Sequence, residues 1–170
     1  MNINKSVIFG IPFLIGGIAA IISPNNIMDF IFARNLYDVA SFLFPGLGKM
    51  KGDYELGDVA KFYYSLFWIM SPLLIFGSYA NLQKQRDKII ENCKEKKLFF
   101  ILFFCVFSLV CAFALVNFNF ESKDVDDVRI YLSFHSRWGM MLFGWIVPAS
   151  ASALFAMAIF GFINIIDIFE

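Results

Sequence analysis

Residues 98–116 read LFFILFFCVFSLVCAFALV, a run with no charge, no glycine and no proline. A helix that spans a bilayer needs about 20 mostly apolar residues, and this run supplies them. Working outward, the segment before it, Asn81–Lys97, holds Lys84, Arg86, Lys88, Lys94, Lys96 and Lys97, the densest positive cluster in the chain. Before that lies a second uncharged run, Phe62–Ala80, and after it a fourth apolar run, Trp138–Ile166. The first run, Ile3–Ile22, carries only Lys5. Lys5 followed by Val7–Ile22 also has the outline of a signal peptide, but Ile21, Ile22 and Ser23 offer no small-x-small cleavage site before Pro24. The expected fold class is an all-α membrane protein. It is a single polytopic domain over residues 1–170, with four transmembrane helices in a bundle over about 3–22, 62–80, 98–116 and 138–163. Pro72 and Pro148 fall inside the second and fourth runs and predict kinks there.

Composition agrees with this class. The chain is 59% hydrophobic and 16% charged, where soluble domains sit near 45–50% and about 25%. Net charge is zero, and no basic patch interleaved with aromatics points to nucleic acid.

Sidedness follows from the loops. Positive charge stays cytoplasmic, so Asn81–Lys97 is expected inside, as a helical hairpin that continues both of its spans. Both termini then lie in the cytoplasm, and the loops Ser23–Lys61 and Asn117–Arg137 lie outside. The implied location is a bacterial inner membrane, with lipid as the constant partner. Within the first outer loop, Asn26–Phe44 is expected to be an amphipathic helix at the interface, with Arg34 and Asp38 paired at i, i+4. Pro45, Gly46, Gly48 and Gly52 end it in a flexible turn. Asp58 is a candidate N-cap for the second span. Tyr63, Tyr64, Trp68, Tyr131 and Trp138 are placed to form aromatic belts.

Few motifs carry chemistry. Gly46–Gly52 lacks the GK[ST] ending and the preceding strand of a phosphate loop. Cys105 and Cys111 are six positions apart on one helix and cannot pair easily, and Cys93 sits in the basic loop. No Cys-x-x-Cys exists for a membrane thiol oxidase. His135 is the single histidine, which excludes bis-His haem, and zinc would have to draw on scattered outer carboxylates. No cofactor, metal or catalytic residue is expected. No ionisable residue lies mid-span, where transporters and proton relays carry one. The serines of spans two to four have no intramembrane base beside them. These absences weigh against an enzyme or a transporter.

What remains is binding. Arg129, His135 and Arg137 form a basic group at the outer end of the fourth run and are candidate contacts for a partner or a lipid phosphate. Gly16-x-x-x-Ala20, Ala149-x-x-x-Ala153 and Ser152-x-x-x-Ala156 are small-residue faces. They suit packing within the bundle, or docking of a foreign helix at Gly16, Ala149 and Ala153.

The plan resembles the four-helix inner-membrane immunity proteins of pore-forming colicins, in the subgroup protecting against colicins A and B. The echoes are Gly10-Ile-Pro12, the stretch from Tyr37 to Pro45, and Ser71-Pro72. The chain departs from that group in ending Asp167-Ile-Phe-Glu170 where a basic tail is usual, and in Pro148-Ala-Ser-Ala-Ser-Ala153. The resemblance implies bacteriocin immunity: lateral binding of the helices of a pore-forming toxin, which blocks channel opening without catalysis. Arg34, Asp38, Arg129 and Arg137 would then set specificity. The alternatives are a small structural, exclusion or assembly subunit of a membrane complex and, third, a membrane enzyme or transporter.

Overall fold

The computed structural model describes residues 5–50, 56–117 and 135–169, and these are helical with no strand among them. Helix α1 is Lys5–Ile22. A 3-10 turn, Ile27–Asp29, leads into α2, Ile31–Leu43. A helical turn at Pro45–Gly48 follows. Helices α3, Gly57–Ile69, and α4, Ser71–Lys84, are two arms of one apolar stretch bent by 45°. Helix α5 runs unbroken over Arg86–Val116 and α6 over Arg137–Ile163, and a short α7, Ile165–Phe169, ends the described chain. Helices α5 and α6 are long and apolar enough to cross a membrane, and the bent α3–α4 pair makes a third crossing if counted as one span. Among the described residues of α1, the apolar helix Gly10–Ile22 is shorter than a full span.

Local chemistry explains the boundaries. Pro72 has no N–H to give the carbonyl four residues back, so the helix stops at Met70 and restarts with proline in the first turn of α4. The kink expected from Pro72 is therefore present. Pro148 lies in the first turn of the regular α-helix Ile146–Ile163, just after a wide π turn at Met140–Gly144. A second π stretch, Ile101–Phe107, lies in α5, and there the Ser108 hydroxyl donates to the Phe103 carbonyl at 2.8 Å. Asp58 lies inside the first turn of α3 and Leu56 takes the cap position, so Asp58 acts through the helix dipole and not as a cap. The expected inner hairpin is helical: Arg86–Cys93 and a 3-10 turn run straight into the apolar part of α5.

The bundle is organised around α6, which packs on α4 along one side and on α5 along another. Helix α1 covers α3, α4 and the start of α6, while α5 sits at the edge, leaning chiefly on α6. Glycines set the close approaches. Phe67 fills the space a side chain at Gly16 would need, and the Tyr63 ring occupies the space at Gly144. A Cβ on Gly161 would lie 2.8 Å from Cys105 Sγ and from Phe104 Cβ.

The expected first outer loop is not a loop riding above the bundle. Ala33 and Ala40 of α2 are fully buried, as is Leu47 in the turn after it. Phe44 stacks on Trp68 with ring centroids 4.4 Å apart. The segment therefore packs over Tyr63, Tyr64 and Trp68, each no more than 2% exposed. These three belong to the core and not to the expected aromatic belt, because the chain's own α2 segment covers them. Trp138 is exposed, and Tyr131 lies outside the described residues.

Candidate functional site

Two arginines hold the two ends of the bundle. At one end Arg137, the first residue of α6, donates to the carbonyls of Ala20, Ile21 and Ser23 at 3.1, 3.0 and 2.6 Å. It also donates to Asn25 Oδ1 at 2.6 Å. The last carbonyls of a helix have no partner inside it and carry the negative end of its dipole, so a guanidinium there satisfies both. At the other end Arg86 donates to Asn164 Oδ1 at 2.7 Å and pairs with Asp167 at 2.6 Å, tying the start of α5 to the end of α6. The end of α1 and the Ser23–Asn25 stretch that meet Arg137 thus lie at the opposite end of the bundle from the basic segment that begins at Lys84.

The predicted site residues divide between these features. Arg34 does not pair with Asp38: its guanidinium turns back to the Met28 carbonyl at 3.4 Å, while Asp38 stays exposed and its carbonyl accepts from the Ser41 hydroxyl. The backbone acceptor left open by the tight turn at Ile27–Asp29 is the nearer partner. Arg34 and Arg137 nonetheless share a neighbourhood, since both hold the stretch Ser23–Met28. His135 is partly buried two residues before Arg137. Gly16 is closed by Phe67, and Ala149 packs against the main core. Ala153 is partly buried on α6. Arg129 lies outside the described residues. Arg86, Asn164 and Asp167 were not singled out from the sequence. Their signal was present in the Asn164 and Asp167 spacing, one helical turn apart at the end of the last apolar run.

Helix α2 shows three faces. Ala33, Leu36, Tyr37 and Ala40 turn to the bundle, and Arg34, Asp38 and Ser41 form a polar stripe. Ile31, Phe32, Val39, Phe42 and Leu43 form an exposed apolar stripe. The Tyr37 hydroxyl donates to the Leu47 carbonyl at 3.3 Å, and Lys61 sits over its ring at 5.8 Å. Burial, and then the charge of Asp38, push the Tyr37 phenol above its ordinary pKa, so it remains a neutral donor.

Two openings lie among the described residues of the helices. One, about 520 Å³, is bordered by Arg86, Asp87, Ile90, Glu91, Lys94 and Asp167 at the end of the bundle. Its charges are mixed and already partly paired. The smaller, about 210 Å³, lies at the break between α3 and α4, with Phe44, Trp68, Ile75, Phe155 and Ile159 around it and Ser71 and Ser152 at its wall. The hydroxyls of Ser65, Ser108 and Ser152 donate to carbonyls of their own helices. The buried Tyr63 Oη and Trp68 Nε1 have no partner. Among the described residues no three His, Cys, Asp or Glu side chains converge.

Comparison of the chain with protein-family models, with curated proteins and with solved structures finds no match in any of the three.

Proposed function

We propose that this chain is an immunity protein of a bacterial inner membrane that binds the helices of a pore-forming toxin side by side in the bilayer and blocks channel opening. On this reading α1, the α3–α4 pair, α5 and α6 are four spans, and the end bearing Arg86 and Asp167 faces the cytoplasm with both termini. The observation that carries the reading is the edge position of α5. Leu98, Phe99, Leu102, Val106, Phe107, Val110 and Phe113 are all about half exposed or more and form an apolar face open along the length of the helix. A hydrophobic toxin hairpin diffusing in the same bilayer meets such a face without having to displace a charge. The exposed Arg34 and Asp38 of α2, together with Arg129, supply polar contacts at the outer surface that distinguish one toxin from another.

The test is protection. Cells sensitive to pore-forming toxins and to nuclease toxins are made to express the chain and are challenged with a panel of both. Survival of one pore-former, with full sensitivity to nucleases, is expected. Charge reversal at Arg34 and Asp38 lowers that survival at constant membrane level. Sensitivity to every pore-former, combined with copurification of a stable partner from unchallenged cells, would replace this reading with that of an assembly subunit.

A further inference from the structure

The crevice at the α3–α4 break lies halfway along the bundle. Ser152 on its wall is fifteen residues from Arg137 and twelve from Asn164, where α6 ends and Arg86 is bound, about 22 and 18 Å at 1.5 Å per residue. The two arginine clamps thus stand roughly 40 Å apart, close to the thickness of a bilayer with its head-group layers, and the crevice falls near the midplane. Its lining has no charge. Its rim is partly exposed: Ile159 is 41% accessible, and the neighbouring Leu73 and Phe76 on α4 are exposed apolar side chains. The opening therefore faces sideways, into whatever surrounds the apolar surface at that height. The void lies at the 45° bend between α3 and α4, and Phe44, stacked on Trp68, borders it.

We propose that this crevice holds the acyl chain of a membrane lipid. The inference rests on the bilayer placement given under the proposed function, but not on the toxin. At the midplane the available solvent is hydrocarbon, and a head group would find no charge to pair with in the crevice. An unfilled space of this size would forfeit the dispersion contacts of its aromatic walls. A flexible chain inserted between Phe44, Trp68 and Phe155 restores them.

Trp68 makes the site readable. Two variants each keep one tryptophan. W138F/W145F leaves Trp68, which is 2% exposed, and W68F/W138F leaves Trp145, which is 37% exposed and seven residues from Ser152 on the outer side. Each is reconstituted in vesicles of phosphatidylcholine brominated at mid-chain, and in the unbrominated lipid. The expected result is that Trp68, despite its burial, loses emission in brominated lipid to the same degree as Trp145. Filling the crevice by Ile159→Phe at the rim, or by Ser152→Leu at the wall, restores Trp68 emission and leaves Trp145 quenched. Loss of emission at Trp145 with none at Trp68 would overturn the acyl-chain site while keeping the bilayer placement. Quenching of Trp68 that persists in both filled variants would overturn it as well. Quenching of neither tryptophan would overturn the placement and the site together.

Discussion

Replacement of Arg137 by alanine is expected to loosen the whole bundle. The wild-type guanidinium makes four hydrogen bonds, three of them to carbonyls at the end of α1. A hydrogen bond to a charged group contributes about 1.5–3 kcal/mol net. The site is only partly buried, so water takes over some of the freed carbonyls in the variant. The expected loss is about 2–4 kcal/mol, which is less than four separate bonds would give, because the bonds share one donor group. Arg137→Lys keeps the charge at the helix end but loses the planar fork, and should recover roughly half. The assay is equilibrium unfolding in mixed micelles at rising detergent fraction, followed by tryptophan emission and helicity. Ser136→Ala serves as the neighbouring control: its 3.3 Å contact to the Gly139 N–H is weak, and the cost should stay under about 1 kcal/mol. If the alanine variant unfolds at the same detergent fraction as wild type, the clamp does not hold α1 to α6. The prediction also bears on function. The sequence alone assigned Arg137 to a partner-contacting patch, for which substitution would leave the protein level unchanged. The clamp predicts that the level falls with the activity.

Four further outcomes follow from the geometry. Gly161→Val should cost about 1–3 kcal/mol, because its Cβ meets Cys105 and the backbone of Phe104. Gly10→Val, with nothing nearby, should leave the detergent midpoint unchanged. A double-mutant cycle on Arg86→Gln and Asp167→Asn should give a coupling of about 1 kcal/mol or less, since both side chains are 37% exposed and the pair is screened; a coupling several-fold larger would mean the pair is shielded from water. Pro72→Ala lets the residue at 72 donate to the carbonyl four back and straightens the 45° bend, so spin labels at Asp58 and Gln83 should move apart by about 3 Å. An unchanged distance would assign the bend to packing against Phe44 and α6.

The long apolar elements were legible because hydropathy and length alone specify them, as in Leu98–Val116, and Pro72 marked its break for a purely local reason. What escaped was tertiary. Asn26–Phe44 read as one amphipathic helix, whereas the helix is Ile31–Leu43 after a separate turn; periodicity does not say how deep a helix sits, so the burial of Ala33, Ala40 and Leu47 was not visible. That depth turned Tyr63, Tyr64 and Trp68 from an expected belt into core. Arg34 and Asp38 have the right spacing for a pair, yet a backbone carbonyl left open by a neighbouring turn lies nearer to the arginine than the carboxylate does. Gly16 read first as a packing notch and second as a docking face, and the position of Phe67 supports packing. The π stretches at Ile101–Phe107 and Met140–Gly144 have no sequence signature of their own. Arg137 looked like surface charge because its partners are the carbonyls of a helix more than a hundred residues earlier.

The proposed bundle crosses the bilayer four times and carries its two arginine clamps on opposite faces. Single cysteines at Asn25, Ser136 and Lys88, introduced into a chain with Cys93, Cys105 and Cys111 replaced by serine, test it directly when labelled in intact cells with a membrane-impermeant maleimide. The account predicts that Asn25 and Ser136 label from outside and that Lys88 labels only after the cells are opened. Labelling of Lys88 from the same side as Asn25 would contradict it.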